Sequence, residues 1–287
     1  STEALSLSAS TWAMATMLSG IIISGLDWLS ILDIGPYTLI FNERAILWII
    51  TIIGSSAIYF ALKIEEVTPL NKAKREIFSI RKSYDWDMIF KAISPLVLIS
   101  IGAGLTIPFV NLFFNSVFGL SSSQYSLLGS FTALLVFIFS LLVPSLRKKY
   151  GYWMTIVVVQ SLAIFCLVLM AIMELYAEFS FAFTIAIVAY ILRQPLMHMA
   201  HPASNELMMN YVGKKNQELI SAISSSLWSA SWFFSAKLFE WLRLLNYHYY
   251  EIFLITAFLY VIGVIMFAYL IREYDLKNIT SKKTVLL

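Results

Sequence analysis

The sequence predicts an all-α membrane protein with eight transmembrane helices, and three observations lead to this fold class. Of the 287 residues, 60% are hydrophobic and only 13% are charged, whereas soluble domains have about 45–50% apolar and about 25% charged residues. Residues 92–146 contain no Asp, Glu, Lys or Arg, and about 20 apolar residues span a bilayer as a helix. Apolar runs such as residues 134–139 are continuous rather than alternating, which excludes a transmembrane β-barrel.

The same composition excludes several classes of protein. So apolar a chain is not a soluble enzyme, a nucleic-acid-binding protein or a secreted disulfide scaffold. The net charge of +3 is too small to indicate nucleic acid or another polyanion as a partner. Cys166 is the single cysteine, so the chain forms no internal disulfide. The lipid bilayer is therefore the first partner that the sequence predicts.

The eight predicted helices follow one another with short connections, except for one longer hydrophilic segment. Residues 63–91 separate the second helix from the third and mix basic with acidic residues. Apolar residues interleaved in this segment fit either an amphipathic helix on the membrane surface or a solvated linker. The apolar residues of the segment are Ile77, Phe78, Ile80, Trp86, Met88 and Ile89. The predicted spans are residues 11–31, 45–62, 93–117, 124–146, 152–173, 179–210, 218–242 and 249–271.

The basic residues predict the orientation of these helices. Of the 20 Lys and Arg residues, 16 fall in residues 63–91, in the loops after the fourth and sixth spans, and in the tail. Every second connection is therefore basic, and the positive-inside rule places these connections and both termini in the cytoplasm. We expect an integral multi-pass protein of the plasma (inner) membrane.

Three stretches of the chain resemble conserved regions of the major facilitator superfamily of secondary transporters. Residues 102–111 (Gly-Ala-Gly-Leu-Thr-Ile-Pro-Phe-Val-Asn) are similar to the opening helix of the second half in many members. Residues 144–151 (Pro-Ser-Leu-Arg-Lys-Lys-Tyr-Gly) resemble the basic loop between the second and third helices of a half, but lack its usual acidic residue. Residues 206–213 resemble the turn between the fourth and fifth helices.

The resemblance implies a division of the chain into four parts. Members have two six-helix halves joined by a cytoplasmic loop. On this pattern, residues 1–62 are the last two helices of an amino-terminal half, residues 63–91 the cytoplasmic linker, residues 92–273 the complete carboxy-terminal half and residues 274–287 a cytoplasmic tail. We expect the chain to be part of a longer protein whose preceding helices complete the first half. The alternative is a native eight-span protein that lost its initiator Met.

The resemblance also implies a function. Members of the superfamily move a small solute by alternating access, with one half rocking against the other. We expect a secondary active transporter of a small-molecule substrate, coupled to protons or another ion. Two alternatives from other classes stay open: a membrane receptor or accessory subunit with the transport fold, and a membrane-embedded enzyme.

The sixth predicted span carries the strongest candidates for a functional site, because ionisable residues inside a membrane are costly and are functional candidates by default. Arg193 lies near its middle, at the edge of a polar stripe whose members recur every three or four residues on one helical face. By resemblance this span lines the central cavity. The members of the stripe are Gln194, His198, His201 and Asn205.

Each candidate in this span has a proposed role and a structural alternative. We expect Arg193, with Gln194 beside it, to contact an anionic group of the substrate or a carboxylate of the other half. His198 or His201 is expected to move protons, because imidazole titrates near neutral pH. The alternative is that these side chains bond to neighbouring helices and determine packing.

Other spans supply further candidates. Asn111 and Asn115 lie on one face of the third span and are expected to contact substrate; the alternative is a pair of interhelical hydrogen bonds. Trp228 and Trp232 of the seventh span are expected to present an aromatic wall to an organic substrate; the alternative is that they face lipid or pack between helices. Asp27, near the outer end of the first span, is a candidate for proton or cation binding or a simply solvated group.

Three further patterns are interpreted structurally. Gln160 lies in the fifth span, which is peripheral by resemblance. Lys237 and Glu240 are expected to pair with each other. Small residues recur every fourth position in the seventh span and predict a close helix contact. They are Ser221, Ala222, Ser225, Ser226, Ser229 and Ala230.

Catalytic and cofactor motifs are not found in the sequence. It contains no His-Glu-x-x-His helix, no Gly-x-Ser-x-Gly turn and no phosphate-binding loop, so we expect neither an enzyme nor ATP-driven transport. His198 and His201 have no third metal ligand at a suitable spacing. We therefore expect no metal and no cofactor.

Overall fold

The computed structural model describes residues 2–29, 31–34, 37–40, 43–63 and 84–285, and this part of the chain is almost wholly helical. A 3₁₀ segment, Ile107–Phe109, follows the helix Trp86–Thr106, and a π-helical segment, Trp153–Val158, follows the helix Ser122–Tyr152. The strands β1 (Ile31–Ile34) and β2 (Tyr37–Ile40) pair antiparallel. The helices are α1 (Thr2–Leu29), α2 (Glu43–Leu62), α3 (Trp86–Thr106), α4 (Val110–Phe118), α5 (Ser122–Tyr152), α6 (Val159–Ile172), α7 (Ser180–Val212), α8 (Gln217–Leu244) and α9 (Tyr249–Val285).

The helical class is confirmed, and each predicted span lies mostly in helix, although the first (residues 11–31) extends past the end of α1 at Leu29 to the start of β1. Five stretches of the described residues are long and apolar enough to cross a membrane. One of them, Ser122–Ile172, has 51 residues and covers two of the predicted spans. Neither α2 nor α8 is in this set, and the serines of α8 lower its mean hydropathy. The five stretches are Leu5–Ile22, Trp86–Phe118, Ser122–Ile172, Ser180–Val212 and Tyr249–Lys277.

Local sequence signals account for the breaks between helices. Ser121 caps α5 through a reciprocal capping box, in which its hydroxyl accepts from the Gln124 backbone N–H at 3.2 Å and the Gln124 side chain accepts from the Ser121 N–H at 3.0 Å. The predicted basic loop after the fourth span remains helical until Gly151, whose φ of 75° interrupts the helix. Glycine adopts this left-handed conformation without steric cost.

Several predicted boundaries differ from the structure, and α1 begins at Thr2 rather than at residue 11. The third span begins at Trp86 rather than residue 93, so Trp86, Met88 and Ile89 belong to α3 and not to a linker helix. Residues 64–83, with Ile77, Phe78 and Ile80, lie outside the described residues. The last helix extends to Val285 rather than ending at residue 271. No Gly or Pro follows Gly263 in this helix to stop it, and Lys277 pairs with Glu273 one turn away at 3.2 Å.

Helix α3 packs against both α8 and α9. A Cβ atom added at Gly104 would lie 2.6 Å from the Ser235 Cβ of α8, so the two backbones approach closely. The Ser235 hydroxyl donates to the Ile101 carbonyl at 2.9 Å across the same contact. On the α9 side, the buried Thr106 hydroxyl donates to the Thr256 hydroxyl at 2.9 Å. Small residues and interhelical hydrogen bonds are the usual means of helix association in membranes.

The predicted basic ends of the helices meet at one end of the bundle. Lys91 at the start of α3 pairs with Glu273 of α9 at 3.5 Å. Arg147 of α5 pairs with Glu206 of α7 at 3.4 Å. The backbone N–H of Asp85 donates to the Asn216 side-chain oxygen at 3.4 Å. The basic connections that were predicted to lie on one side of the membrane therefore lie at the same end of the bundle.

Helix α1 packs along α5 and also contacts α7, although it precedes the hydrophilic segment in the chain. Its buried residues include Ser6, Ser10 and Ala13. The Ser10 hydroxyl donates to the Ser6 carbonyl within the helix at 2.8 Å, which satisfies the hydroxyl inside an apolar contact. Other residues of α1 expose large apolar side chains, such as Leu7 and Ile21. The first helix is thus attached to the bundle that follows the segment.

We predict that Gly104→Ala destabilises the protein and that Gly129→Ala does not. The new methyl group at Gly104 would also lie 3.0 Å from the Ser231 carbonyl oxygen, so α3 and α8 must separate, at a cost of about 1–3 kcal/mol. A Cβ at Gly129 meets nothing within 4 Å. Thermal unfolding in detergent measures both effects, and an equal midpoint for the two variants would contradict the close contact.

Candidate functional site

A cavity of about 500 Å³ lies among α1, α3, α6, α7, α8 and α9. Its volume is in the range of about 300–1,000 Å³ that is typical of small-molecule sites. Most of its wall is apolar, through residues such as Leu96, Ile99 and Ile107 of α3 and the adjoining 3₁₀ segment. Its polar and aromatic lining residues are Ser8, Trp12, Gln160, Arg193, Gln194, His198, His201, Ser204, Asn205, Trp228, Trp232, Tyr260 and Phe267.

Arg193 is the most unusual of these residues. Its side chain is 1% exposed and is the largest fully buried side chain among the described residues. Within the part of the chain that the structure describes, none of its three guanidinium nitrogens has a hydrogen-bond partner, and it makes no ion pair with a carboxylate. A buried charge without a partner is strongly unfavourable. The guanidinium is therefore available to bind an anionic group.

Tyrosines surround this guanidinium rather than acids. The Tyr260 hydroxyl, from α9, is close enough to interact with the charge of Arg193 but is itself buried without a hydrogen bond of normal geometry to any described residue. Tyr125 and Tyr190 also lie near, and their hydroxyl oxygens are 3.1 Å apart. These groups offer polar contacts to the cation but do not neutralise it.

The two histidines of α7 lie on the cavity wall, and each contacts a tryptophan from another helix. The His198 ring is 5.0 Å from the Trp12 ring of α1, in a tilted arrangement. The His201 ring meets Trp228 of α8 edge-on, with 5.7 Å between centroids. Nδ1 of His201 lies 3.3 Å from the Asn205 side-chain nitrogen. The stripe predicted on the sixth span therefore faces one cavity, together with Arg193.

Two amide side chains complete the polar part of the wall. Gln194 follows Arg193 on α7. Gln160 of α6 is 4% exposed, and its side-chain oxygen is buried without a partner among the described residues. The sequence interpretation of Gln160 as a peripheral structural residue missed this position. It is available to hydrogen-bond a molecule in the cavity.

The asparagines of the third predicted span occupy a different place. Neither Asn111 nor Asn115 is among the residues that line the cavity. The Asn115 side chain donates to the Leu120 carbonyl at 2.9 Å, just past the end of α4. Their expected contact with substrate remains a prediction without support from this geometry. Asp27 belongs to α1, but its side chain lies outside the described residues.

Helix α8 agrees with the sequence in part. Trp228 and Trp232 both line the cavity. The predicted pair of Lys237 and Glu240 is confirmed, with 2.7 Å between Nζ and Oε2. The small-residue face that was predicted to pack, including Ser225, is instead exposed in the described structure. The serines that are buried are Ser231 and Ser235, which face α3.

The cavity residues that sequence reasoning missed include Trp12, Gln160 and Tyr260. None of them belongs to the polar stripe of the sixth predicted span, and no periodic pattern distinguishes them. Tyr260 is buried on the inner face of α9, and Trp12 is 55% exposed on α1. Their placement depends on how the helices pack, which composition and spacing do not reveal.

At the end of the bundle that was predicted to face the cytoplasm, another helix supplies the acidic residue that the basic segment of residues 144–151 lacks. Arg147 pairs with Glu206, and its guanidinium carbon lies 3.4 Å from the centre of the Tyr152 ring. Asn210 donates to the Tyr152 hydroxyl at 3.0 Å. The carboxylate thus comes from the end of α7, and this cluster links α5 to the helix that carries the cavity stripe.

The chemistry of the cavity lining suits the binding of a small molecule. The described residues contain no group of three or more His, Cys, Asp or Glu side chains that could hold a metal ion. Among the described lining residues, Arg193 is the one permanent charge. A single cation, two imidazoles and several amides in an apolar, aromatic chamber can orient and hold a polar organic molecule.

Comparison with known proteins places this architecture in a family. The model of the Major Facilitator Superfamily matches residues 2–236. The match extends from the start of α1 through most of α8 and includes every cavity residue up to Trp232. No curated protein and no solved structure matches the chain at a significant level.

The single cysteine allows a direct test of whether the cavity is accessible from water. In a Cys166→Ala background, we predict that Gln194→Cys reacts with the impermeant reagent sulfonatoethyl methanethiosulfonate at least about tenfold faster than Leu192→Cys, because thiolates form only in contact with water. Leu192 is two residues away at a similar depth, 49% exposed on the outer apolar face of α7. Mass spectrometry measures the modification, and equal rates would contradict an aqueous cavity.

Proposed function

The chain belongs to the major facilitator superfamily, and on this premise we propose that it is a secondary active transporter that moves a small solute by alternating access through the cavity beside Arg193. Membership makes it an integral multi-pass membrane protein of a transporter family whose members are typically not enzymes. The observation that carries the finer proposal is the buried, unpartnered Arg193 in a cavity of about 500 Å³. A conserved fold alone does not require such a costly group.

The position of the cavity supports alternating access. Its wall combines α1, which precedes the hydrophilic segment, with five helices that follow it. We assign α1 and α2 to one half (residues 1–62) and α3 to α9 to the other, joined by the linker predicted at residues 63–91, of which residues 86–91 belong to α3. A rocking motion between the halves would then separate Trp12 from His198, whose rings are 5.0 Å apart. Solute in the cavity would gain access to one side of the membrane at a time.

We place both termini, and the tail of residues 274–287, in the cytoplasm of a cell with the protein in its plasma (inner) membrane. The end of the bundle that collects Lys91, Arg147 and Lys277 would face inward, in accordance with the positive-inside rule. The partners are then the bilayer and the solute.

A receptor or accessory subunit would bind a ligand in the same cavity without moving it. Reconstitution in liposomes distinguishes the two functions. Exchange of a bound solute across the membrane supports the transporter, and binding without exchange supports the receptor.

We predict that Arg193→Ala lowers solute exchange in liposomes at least about tenfold, because charge-assisted hydrogen bonds are the strong polar contacts of such a site. Arg193→Lys keeps the charge and should retain part of the activity. Arg272→Ala is the matched control, since its exposed side chain lies over Trp153, 5.7 Å from the ring centre and away from the cavity. Wild-type exchange by a folded Arg193→Ala protein, judged by its melting temperature, would overturn the role of Arg193.

Proton coupling is proposed to use His198 or His201. The chain has three histidines, and the third, His248, is 67% exposed outside the cavity. We predict that His198→Gln or His201→Gln abolishes accumulation driven by a pH gradient while counterflow, which needs no net proton movement, continues. His248→Gln should leave both unchanged. Gradient-driven accumulation that survives both cavity substitutions would contradict this coupling.

A further inference from the structure

We infer that the cavity binds an organic monoanion with a flat aromatic body, its acid group held by Arg193 and its body placed among the tryptophans. This substrate class rests on the proposed function, because it describes the solute of the same site. It follows from three properties of the cavity: the number of its charges, the position of the nearest acids and the chemistry of its wall.

The charge of the cavity selects the sign of the ligand. Arg193 is its one permanently charged lining residue, and no carboxylate side chain is among the lining residues that the structure describes. The nearest acid along α7, Glu206, pairs with Arg147 at 3.4 Å and does not line the cavity. A cationic ligand would therefore meet a like charge without compensation. An anionic ligand would supply the partner that the buried guanidinium lacks.

Because the cavity has one permanent positive charge, it favours a ligand with one negative charge. One guanidinium presents a fork of donors that matches one carboxylate, sulfonate or similar group. A second negative charge in the apolar chamber would have no cation of its own, unless a histidine took up a proton. A zwitterion, such as an amino acid, would need a carboxylate or several carbonyls for its ammonium group. The described lining offers no carboxylate, so the zwitterion is disfavoured relative to the simple acid.

The rest of the wall selects the body of the ligand. Trp12, Trp228 and Trp232 come from two helices, α1 and α8, on the part of the cavity that also holds the two histidines. Leu96, Ile99 and Ile107 cover the α3 side. Flat aromatic surfaces pack against tryptophan by stacked or edge-on contacts. A small hydrophilic anion would leave this surface without contact, whereas an aromatic acid would cover it.

Four compounds that share an indole body test the charge preference directly. Indole-3-propionate is an anion, its carboxamide is neutral, tryptophan adds an ammonium to the anion, and tryptamine is a cation. We expect indole-3-propionate to bind at least about tenfold more tightly than the other three and more tightly than propionate. The measurement is ligand-induced thermal stabilisation of the purified protein in detergent, which requires no transport. Naphthalene-2-carboxylate and its carboxamide repeat the comparison on a rigid body.

Substitutions of arginine test whether the preference for acids over carboxamides depends on the Arg193 guanidinium. Arg193→Gln should reduce the affinity for each acid to that for its carboxamide, and Arg272→Gln, which removes a positive charge outside the cavity, should not. Equal binding of acid and carboxamide, tighter binding of tryptamine, an unchanged preference in Arg193→Gln, or no stabilisation by either acid would each overturn the inference. The comparison on the unmodified protein decides the question even if Arg193→Gln fails to fold.

The outcome separates the ligand class from the transport function. Binding of the acids through Arg193 without their exchange across liposomes would leave the site as inferred and contradict the transporter. Exchange of a cationic or neutral solute, unaffected by the acids, would support the transporter and contradict the ligand class.

Discussion

The close approach of α3 to α8 is the contact on which the shape of the site depends. At Gly104 the two backbones are so near that a single methyl group would not fit beside Ser235. A bilayer supplies no hydrophobic driving force between helices, so tight van der Waals packing and interhelical hydrogen bonds must hold them together. The Ser235 hydroxyl provides one such bond to α3. The position of α8 then determines where Trp228 and Trp232 stand relative to α7.

Arg193 imposes a second constraint, which opposes the first. Tight packing favours apolar and small residues, yet this bundle buries an unpaired guanidinium near the middle of a 33-residue helix. The energetic cost of such a group has to be offset elsewhere in the fold or by a bound anion. Tyr260 and the tyrosine pair Tyr125–Tyr190 offer polar surroundings but no charge. We therefore expect a bound anion to increase the stability of the folded protein.

The sequence predicted the features that depend on local periodicity. Apolar runs located the helices, because about 20 such residues are needed to cross a bilayer. The three- and four-residue spacing placed Gln194, His198 and His201 on one wall, with Arg193 at its edge. The position of the asparagines could not be predicted from the same spacing, because the helix breaks at Ile107–Phe109. Asn115 instead caps the end of the short helix that follows the break. Gln160 and Tyr260 reach the cavity only through the packing of α6 and α9, and no single-helix pattern contains that information.

The contact between Trp12 and His198 joins these constraints to function. Trp12 belongs to a helix that precedes the hydrophilic segment, and His198 belongs to the helix that carries Arg193. Any motion of α1 away from α7 must break this contact and expose the imidazole, whose protonation would add positive charge to the wall beside the guanidinium. A second cation near Arg193 would strengthen the attraction for an anion. In the transporter that we propose, opening the cavity, protonating the histidine and binding an anion would therefore favour one another, which is the linkage that coupled transport requires.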